Sequence, residues 1–459
     1  MRRPARKVYI SGQGIAIGVK NNFFYLPIFL KEFAMSHKSL LCLGLTFFLS
    51  LQFAAASGSP EAPKASAPTT IRFAWWTTEE RTAITLETIA AYEKANPGVT
   101  IVPEYAGYAG FWDKIAVQIA AKEAPDVFQN VVANLPQHVR SSVIAPLTGS
   151  SFDFAKVDAS ALAEWQIKGA QYGLPLGLNG WAILYNPEIF KAAGARLPFA
   201  EWTWKDFEEM CTTITKKTGL YAVTFVSFSQ DFPFLIRSAG VKMYAPDGKS
   251  LGFTDPALLT DYYSMMLRLQ ESGAMPPRSV MLDFGNNWAA NPITAGKSAM
   301  VFIPSNQAGP INQGLGKALP FCTLPSTAAN KAQLLQGTLG VVMAETSKYK
   351  AAASSFLNYV STSVEALSIG KANRGVPATA EARKAMLSKG VDSTIGEALK
   401  FVDLAMNYSS PVLWDYPTAH AEIAEKMGNK LLDEVLFKVK TPAEASAFFM
   451  KEANAILAR

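Results

Sequence analysis

Histidine is scarce in this chain: three in 459 residues. His37 lies in the leading segment, and His138 and His420 stand far apart, outside any H-E-x-x-H or other compact set of metal-ligand spacings. Neither a metal centre nor a histidine acid-base pair is therefore expected. Cysteines also number three. Cys42 lies in an apolar run after Leu41, without the small residue that lipoprotein processing wants there, so a lipid anchor is not expected. Cys211 and Cys322 are too distant in sequence to suggest a disulfide framework and read as buried thiols. Residues Asn291 to Ser298 end Gly-Lys-Ser like a phosphate loop, but glycine is missing at the first position, with a helix before and a strand after. Nucleotide binding is excluded on that ground, and no cofactor is expected.

A surplus of charge is also missing once the front of the chain is set aside. The formal charge is +6, yet seven of the 43 basic residues and one of the 37 acidic ones precede Ser57, which leaves 36 of each. The basicity thus gives no reason to expect a nucleic-acid partner. After the leader no run of 18 apolar residues occurs, so no membrane span is expected.

The leader has its own pattern. His37 and Lys38 precede the apolar run Leu40 to Phe53, and Ala54-Ala55-Ala56 offers a cleavage site. A run of that length is shorter than the roughly 20 residues of a span and reads as a signal peptide, with the mature chain starting near Ser57. Met35 opens this unit, so residues 1–34 are expected to come from an upstream start codon. Residues 57–70 are rich in Pro, Ala and Ser and read as a flexible tether.

Strands and helices alternate beyond the tether. Ile71 to Trp75 reads as a strand, and Thr77 or Thr78 as the cap of a helix with Glu79 and Glu80 at its positive end. Asn96-Pro97-Gly98 stops that helix, and the β-branched run from Val99 to Tyr105 is a second strand. Helical spacing over Phe111 to Ala121 and an apolar strand from Pro125 to Phe128 repeat the unit. Further helices are expected over Trp204 to Thr215, Thr254 to Glu271 and Lys348 to Val360, and a strand over Ala299 to Ile303. The pattern is α/β, with mostly parallel sheets covered by helices, and the length fits two lobes of roughly 150 to 200 residues.

Several local patterns recur in one order: Phe73-Ala74-Trp75-Trp76, then Tyr92 to Val99, Trp112-Asp113-Lys114 with Ala124 to Phe128, Tyr172-Gly173-Leu174-Pro175 with Leu184 to Pro187, Gly296 to Met300, Thr346-Ser347-Lys348, and Arg374-Gly375-Val376-Pro377. In that order they resemble the extracellular solute-binding proteins of carbohydrate ABC importers, the group that includes maltose-binding protein. The resemblance implies a periplasmic-binding-protein fold, with one lobe over residues 70–175 and 320–375 and the other over 176–319 and 376–459, joined by hinge crossovers. It also implies a monomeric, periplasmic receptor whose partners are a carbohydrate and the permease subunits of an importer.

A sugar presents hydroxyls on its edges and C–H groups on its faces, so its site needs aromatic rings and planar polar side chains. Trp75 and Trp76 end the first strand, where open α/β sheets hold ligands, and alternation sends one of them to the core. Glu79 and Arg81 come next, at the helix start. Tyr108 sits among Gly107, Ala109 and Gly110 in what reads as a loop. Gln129 and Asn130 are expected to emerge past the third strand, and Asn179 and Trp181 just after the crossover at Leu174-Pro175. Trp288 and Asn306 represent the second lobe, and Trp414 and Tyr416 a third aromatic patch. Arg374 lies at a lobe boundary, and together with Arg81 in a cleft it would admit acidic sugars. The turn Pro304-Ser305-Asn306-Gln307 lacks the tryptophan that maltose-binding protein carries there, which argues against a maltodextrin.

No catalytic residues are expected. The competing readings are a glycoside hydrolase, which needs only two carboxylates, such as a pair drawn from Glu79, Asp113 and Asp283, and a receptor for another polar solute such as a glycerophosphodiester.

Overall fold

A computed structural model describes residues 68–459, apart from 150–151, 226, 286, 328–331, 338 and 410–415, together with the backbone of two short strands near the amino terminus. The chain divides into units of residues 1–64 and 65–459. In the first, Val8–Ser11 and Gly14–Ile17 pair antiparallel. The apolar run, Cys42 and the cleavage site lie outside the described residues.

The second unit starts with β1 (Thr69–Trp76), two residues earlier than the expected end of the tether, because Thr69 and Thr70 already pair with Val99 and Thr100. Thr78 caps α1 (Glu79–Ala95) with its side chain accepting from the Arg81 N–H, and Glu79 and Glu80 occupy the first turn. The helix stops at Asn96, and β2 (Val99–Ala106) lies parallel to β1 along its whole length. After α2 (Tyr108–Ala120) comes β3 (Val127–Val131), also parallel to β1. The short β4 (Gly173–Pro175) then leads into β5 (Asn179–Tyr185), the first strand of another sheet. That sheet adds β6 (Tyr221–Thr224), β7 (Ser298–Pro304), β8 (Phe321–Cys322) and β9 (Leu335–Gln336). Finally β10 (Leu339–Met343) returns to the first sheet.

The strand orders are β2-β1-β3-β10-β4 and β6-β7-β5-β8, with β9 also on β5. The α/β architecture is as expected, but the pairing is mixed and not mostly parallel. β10 runs against both β3 and β4, and β7, β8 and β9 run against β5. The cause is the route of the chain. β1, β2, β3 and β4 all run towards the crossovers, so a strand returning from the other sheet enters at the crossover end and must run the opposite way. The expected lobe boundary at residue 320 is corrected for the same reason: β8 and β9 still pair with β5, and the return falls between Gln336 and Leu339.

Three crossovers therefore join the sheets, and they hold one another. Leu178 and Val376 exchange backbone hydrogen bonds of 2.6 and 2.9 Å, and the Leu176 N–H donates to Leu339 O at 2.9 Å. Gly177 lies against the backbone of Arg374 and Gly375, where a Cβ would collide, and Gly375 adopts a φ of +109°. Beyond them, the buried Arg383 donates to Asp158 at 2.7 Å, to Asp403 at 2.6 Å and to Pro377 O at 2.8 Å, fastening the third crossover to the helices behind it. One buried cluster runs from Ile71 and Phe73 in the first sheet through Leu178 and Val376 to Val301 and Ile303 in the second. Cys211 and Cys322 are free and buried, as read from the sequence.

Gly337, in the second crossover, is gripped from both sides. Its carbonyl accepts from Trp165 Nε1 at 2.7 Å, and its N–H donates to Glu164 Oε1 at 2.9 Å. Burial outweighs that hydrogen bond and pushes the Glu164 carboxyl up to about 7 from an ordinary 4.5. Ionisation consequently costs the folded state more than the unfolded one. That cost is absent below about 4.5, grows as the pH rises to about 7, and is complete above it. Urea unfolding at several pH values is expected to show stability falling over this window, and Glu164→Gln should flatten the fall. An unchanged slope in Glu164→Gln contradicts the assignment.

Candidate functional site

The directions of the strands decide where ligand-facing side chains gather. β1 to β4 end at the crossovers, β5 begins there, and β7 with its parallel partner β6 ends there too. The carboxyl ends of the parallel strands, the usual ligand end of an α/β sheet, thus adjoin the second sheet.

Trp76, the last residue of β1, is half-buried. Its ring centroid lies 5.5 Å from Tyr108, 5.2 Å from Phe111 and 5.5 Å from Trp112. Tyr108 was expected in a loop but is the first residue of α2, behind the Gly107 cap, and 60% of it is exposed. Trp112 stands four residues on, along the same helix face. It carries part of the family pattern, yet its place in the site shows only once the helix is known to begin at Tyr108. The buried Phe111 forms the base of this aromatic group. Trp75 takes no part in it: fully buried, it packs on Phe73 at 4.9 Å and Tyr105 at 5.1 Å.

On the other face of the first sheet is a polar cluster. Gln129 and Asn130 do not emerge past a strand end, because β3 continues through Val131 and pairs Gln129 with Val341 and Asn130 with Gly340. Both are fully buried. The Gln129 carbonyl oxygen accepts from Arg374 Nε at 3.2 Å, while Arg374 also donates to Thr85 Oγ1 at 2.7 Å and to Asn373 Oδ1 at 3.5 Å. Arg81 reaches the same segment, donating to Asn373 O at 2.9 Å. Burial and the neighbouring Arg81 push Arg374 down to about 9, which still leaves it cationic at neutral pH. Burial also lowers Arg81, against the opposing field of Glu80. Thr85 and Asn373 escaped the sequence reading, although Thr85 stands one turn after Arg81 and Asn373 precedes Arg374. Asn130 points away and contacts His138 Nδ1 at 3.1 Å, and burial holds that imidazole below its ordinary pKa. Glu79 is exposed at the start of α1.

From the second sheet, Asn179 opens β5 and lies beside Gly375. Trp181 is half-buried, stacked on Phe302 at 5.0 Å and tilted against Phe234 at 5.9 Å, so it flanks that lobe's core. Asn306 is exposed in the turn after β7, which Ser305 ties to β5 by accepting from the Gly180 N–H at 3.1 Å. Trp288, expected in the site, is buried in the core instead. Tyr416 stacks on His420 at 4.0 Å, and His420 in turn contacts the Tyr244 hydroxyl at 2.8 Å, which makes a separate patch. Trp414 lies outside the described residues.

Comparison with known proteins gives this arrangement a setting. A family model for bacterial extracellular solute-binding proteins matches residues 87–393. Over 114 residues the chain is 29% identical to a putative binding protein of Brucella abortus (strain 2308), a stretch that spans 24% of this chain and only 28% of that relative. Among solved structures, an extracellular solute-binding protein, family 1, from Alicyclobacillus acidocaldarius superposes with a TM-score of 0.79 at 24% identity, over 86% of this chain and 100% of its own. A periplasmic oligogalacturonide-binding protein from Yersinia enterocolitica gives 0.67 at 20%, over 85% and 99%. An ABC substrate-binding protein from Listeria monocytogenes in complex with cycloalternan gives 0.62 at 21%, over 84% and 98%. At these identities the structural likeness concerns the fold.

The placements separate core from site in a way that stability measurements can check. Trp75→Ala should cost about 3–5 kcal/mol, as truncation of a buried aromatic does, whereas Tyr108→Ala should change stability by about 0.5 kcal/mol or less. Urea unfolding of the two variants is the measurement, and comparable losses would contradict the assignment.

Proposed function

The chain belongs to the bacterial extracellular solute-binding proteins, and from that premise we propose that it captures a sugar or oligosaccharide where its two sheets meet and delivers it to the permease of an ABC importer. The observation that carries this reading is the group of Trp76, Tyr108 and Trp112, which remains partly open to solvent at the ligand end of the first sheet. Aromatic rings suit the C–H faces of a pyranose, while Asn179 and Asn306, at the same junction, suit its hydroxyls. The Yersinia and Listeria proteins, described with oligogalacturonide and cycloalternan, favour a carbohydrate over other solutes. The paired crossovers supply a hinge. A ligand that touches both lobes only when they are closed shifts the population towards closure by the free energy of those contacts.

Binding without conversion is the better reading of the acidic residues. Glu79, Asp113 and Asp283 lie exposed on α1, α2 and the helix Arg278–Phe284. A hydrolase instead brings two carboxylates about 5–10 Å apart around the scissile bond. The leader from Leu40 to Ala56 fits an exported protein working in the periplasm, in keeping with the extracellular character of the family.

Calorimetric titration with neutral oligosaccharides and uronides, followed by chromatography of the mixtures, tests the proposal. Binding of one ligand per chain with no product is expected, and Trp76→Ala should weaken it about tenfold, the worth of one aromatic stacking contact. Turnover, or binding of amino acids alone, contradicts the reading.

A further inference from the structure

We infer that the polar cluster between the start of α1 and the third crossover is a seat for a carboxylate, so that the captured sugar is an acidic one, a uronide. The inference rests on the carbohydrate reading above and narrows it. Arg81 and Arg374 stand close enough for each charge to act on the other, yet neither forms an ion pair with Asp or Glu among the described residues. Their contacts are all to neutral acceptors: Thr85 Oγ1, Gln129 Oε1 and the two oxygens of Asn373. Holding the Arg374 guanidinium inside protein beside the half-buried Arg81, whose charge only Glu80 opposes, is costly, and a bound anion lowers that cost.

The hydrogen-bonding capacity left over in the cluster is of one kind. Arg81 Nε, Gln129 Nε2 and Asn373 Nδ2 are buried without an acceptor. Gln129 is fully buried and its carbonyl is committed to Arg374, which fixes its free NH2 within the cluster. A sugar hydroxyl donates as well as accepts, whereas a carboxylate only accepts and has two oxygens to share among several donors. Of the cluster, Thr85, Asn373 and Arg374 line a cavity of about 50 Å³, with Phe73 and Leu176 on its apolar side, while Arg81 and Gln129 are held to that lining through Asn373 and Arg374. That is room for a carboxylate or for water, not for a sugar ring. Water could meet the donors, but it would leave the Arg374 charge without a counter-charge.

Titration of the purified protein with galacturonate and glucuronate oligosaccharides, their neutral counterparts of equal length, acetate and inorganic phosphate tests the seat. Uronides are expected to bind about tenfold more tightly than the neutral sugars, or better, as charge-assisted hydrogen bonds require. Arg81→Gln should lower uronide affinity about tenfold more than neutral-sugar affinity, and added salt should weaken uronide binding selectively. Because Arg374→Gln also loosens the third crossover, Arg81→Gln is the deciding variant, with thermal unfolding as a check that it folds. Equal affinities, a uronide preference that survives Arg81→Gln, or tight phosphate binding without uronide binding would each overturn the carboxylate seat and leave solute capture standing. Failure of every sugar overturns both.

Discussion

Leu178 and Val376, far apart in sequence, exchange backbone hydrogen bonds at the waist of the protein, with Gly177 pressed against Gly375 beside them. This pairing requires two crossovers to run side by side, with the third at Leu339 attached to Leu176. The strand directions are laid out about this waist. Strands that arrive at the waist are mutually parallel, and those that leave it run against them, so both sheets are mixed. The same geometry brings the carboxyl ends of β1, β2 and β3 next to the start of β5 and the end of β7. The proposed place of solute capture and the crossovers that join the sheets are thus one region, so contacts made by a ligand there would act directly on the crossovers.

Two unlike surfaces flank that waist. The aromatic group of Trp76, Tyr108 and Trp112 is anchored on Phe111 and keeps part of its area in solvent. The cluster of Arg81, Gln129, Asn373 and Arg374 is deep and rich in donors, and it ties α1 to the third crossover. In the proposed uronide, an apolar face and an acceptor-only group would find separate partners within one lobe. Asn179 and Asn306 approach from the second sheet, so a ligand that spans the waist touches both lobes.

Local chemistry made much of this legible from sequence. The Thr78 cap and the Asn96 stop bound α1 closely, and the capping box of Thr203 and Asp206 opens the helix Trp204–Thr218 where expected. Strand alternation foretold that one of Trp75 and Trp76 would be core. What stayed hidden depends on partners distant in sequence. Gln129 and Asn130 are buried because β10, more than 200 positions later, extends the ladder beside them. The mixed pairing and the late return at Gln336 have the same origin. Tyr108 opens a helix whose cap, Gly107, offers no side-chain bond to announce it. The donor cluster draws on positions 81, 85, 129, 373 and 374, which no local pattern connects.

Small-angle scattering of the protein alone and saturated with the sugar that calorimetry identifies tests the central claim most directly, because capture at the waist must move one lobe against the other. The account predicts a smaller radius of gyration with ligand bound. Saturation that leaves the radius unchanged would contradict a hinge-closing receptor.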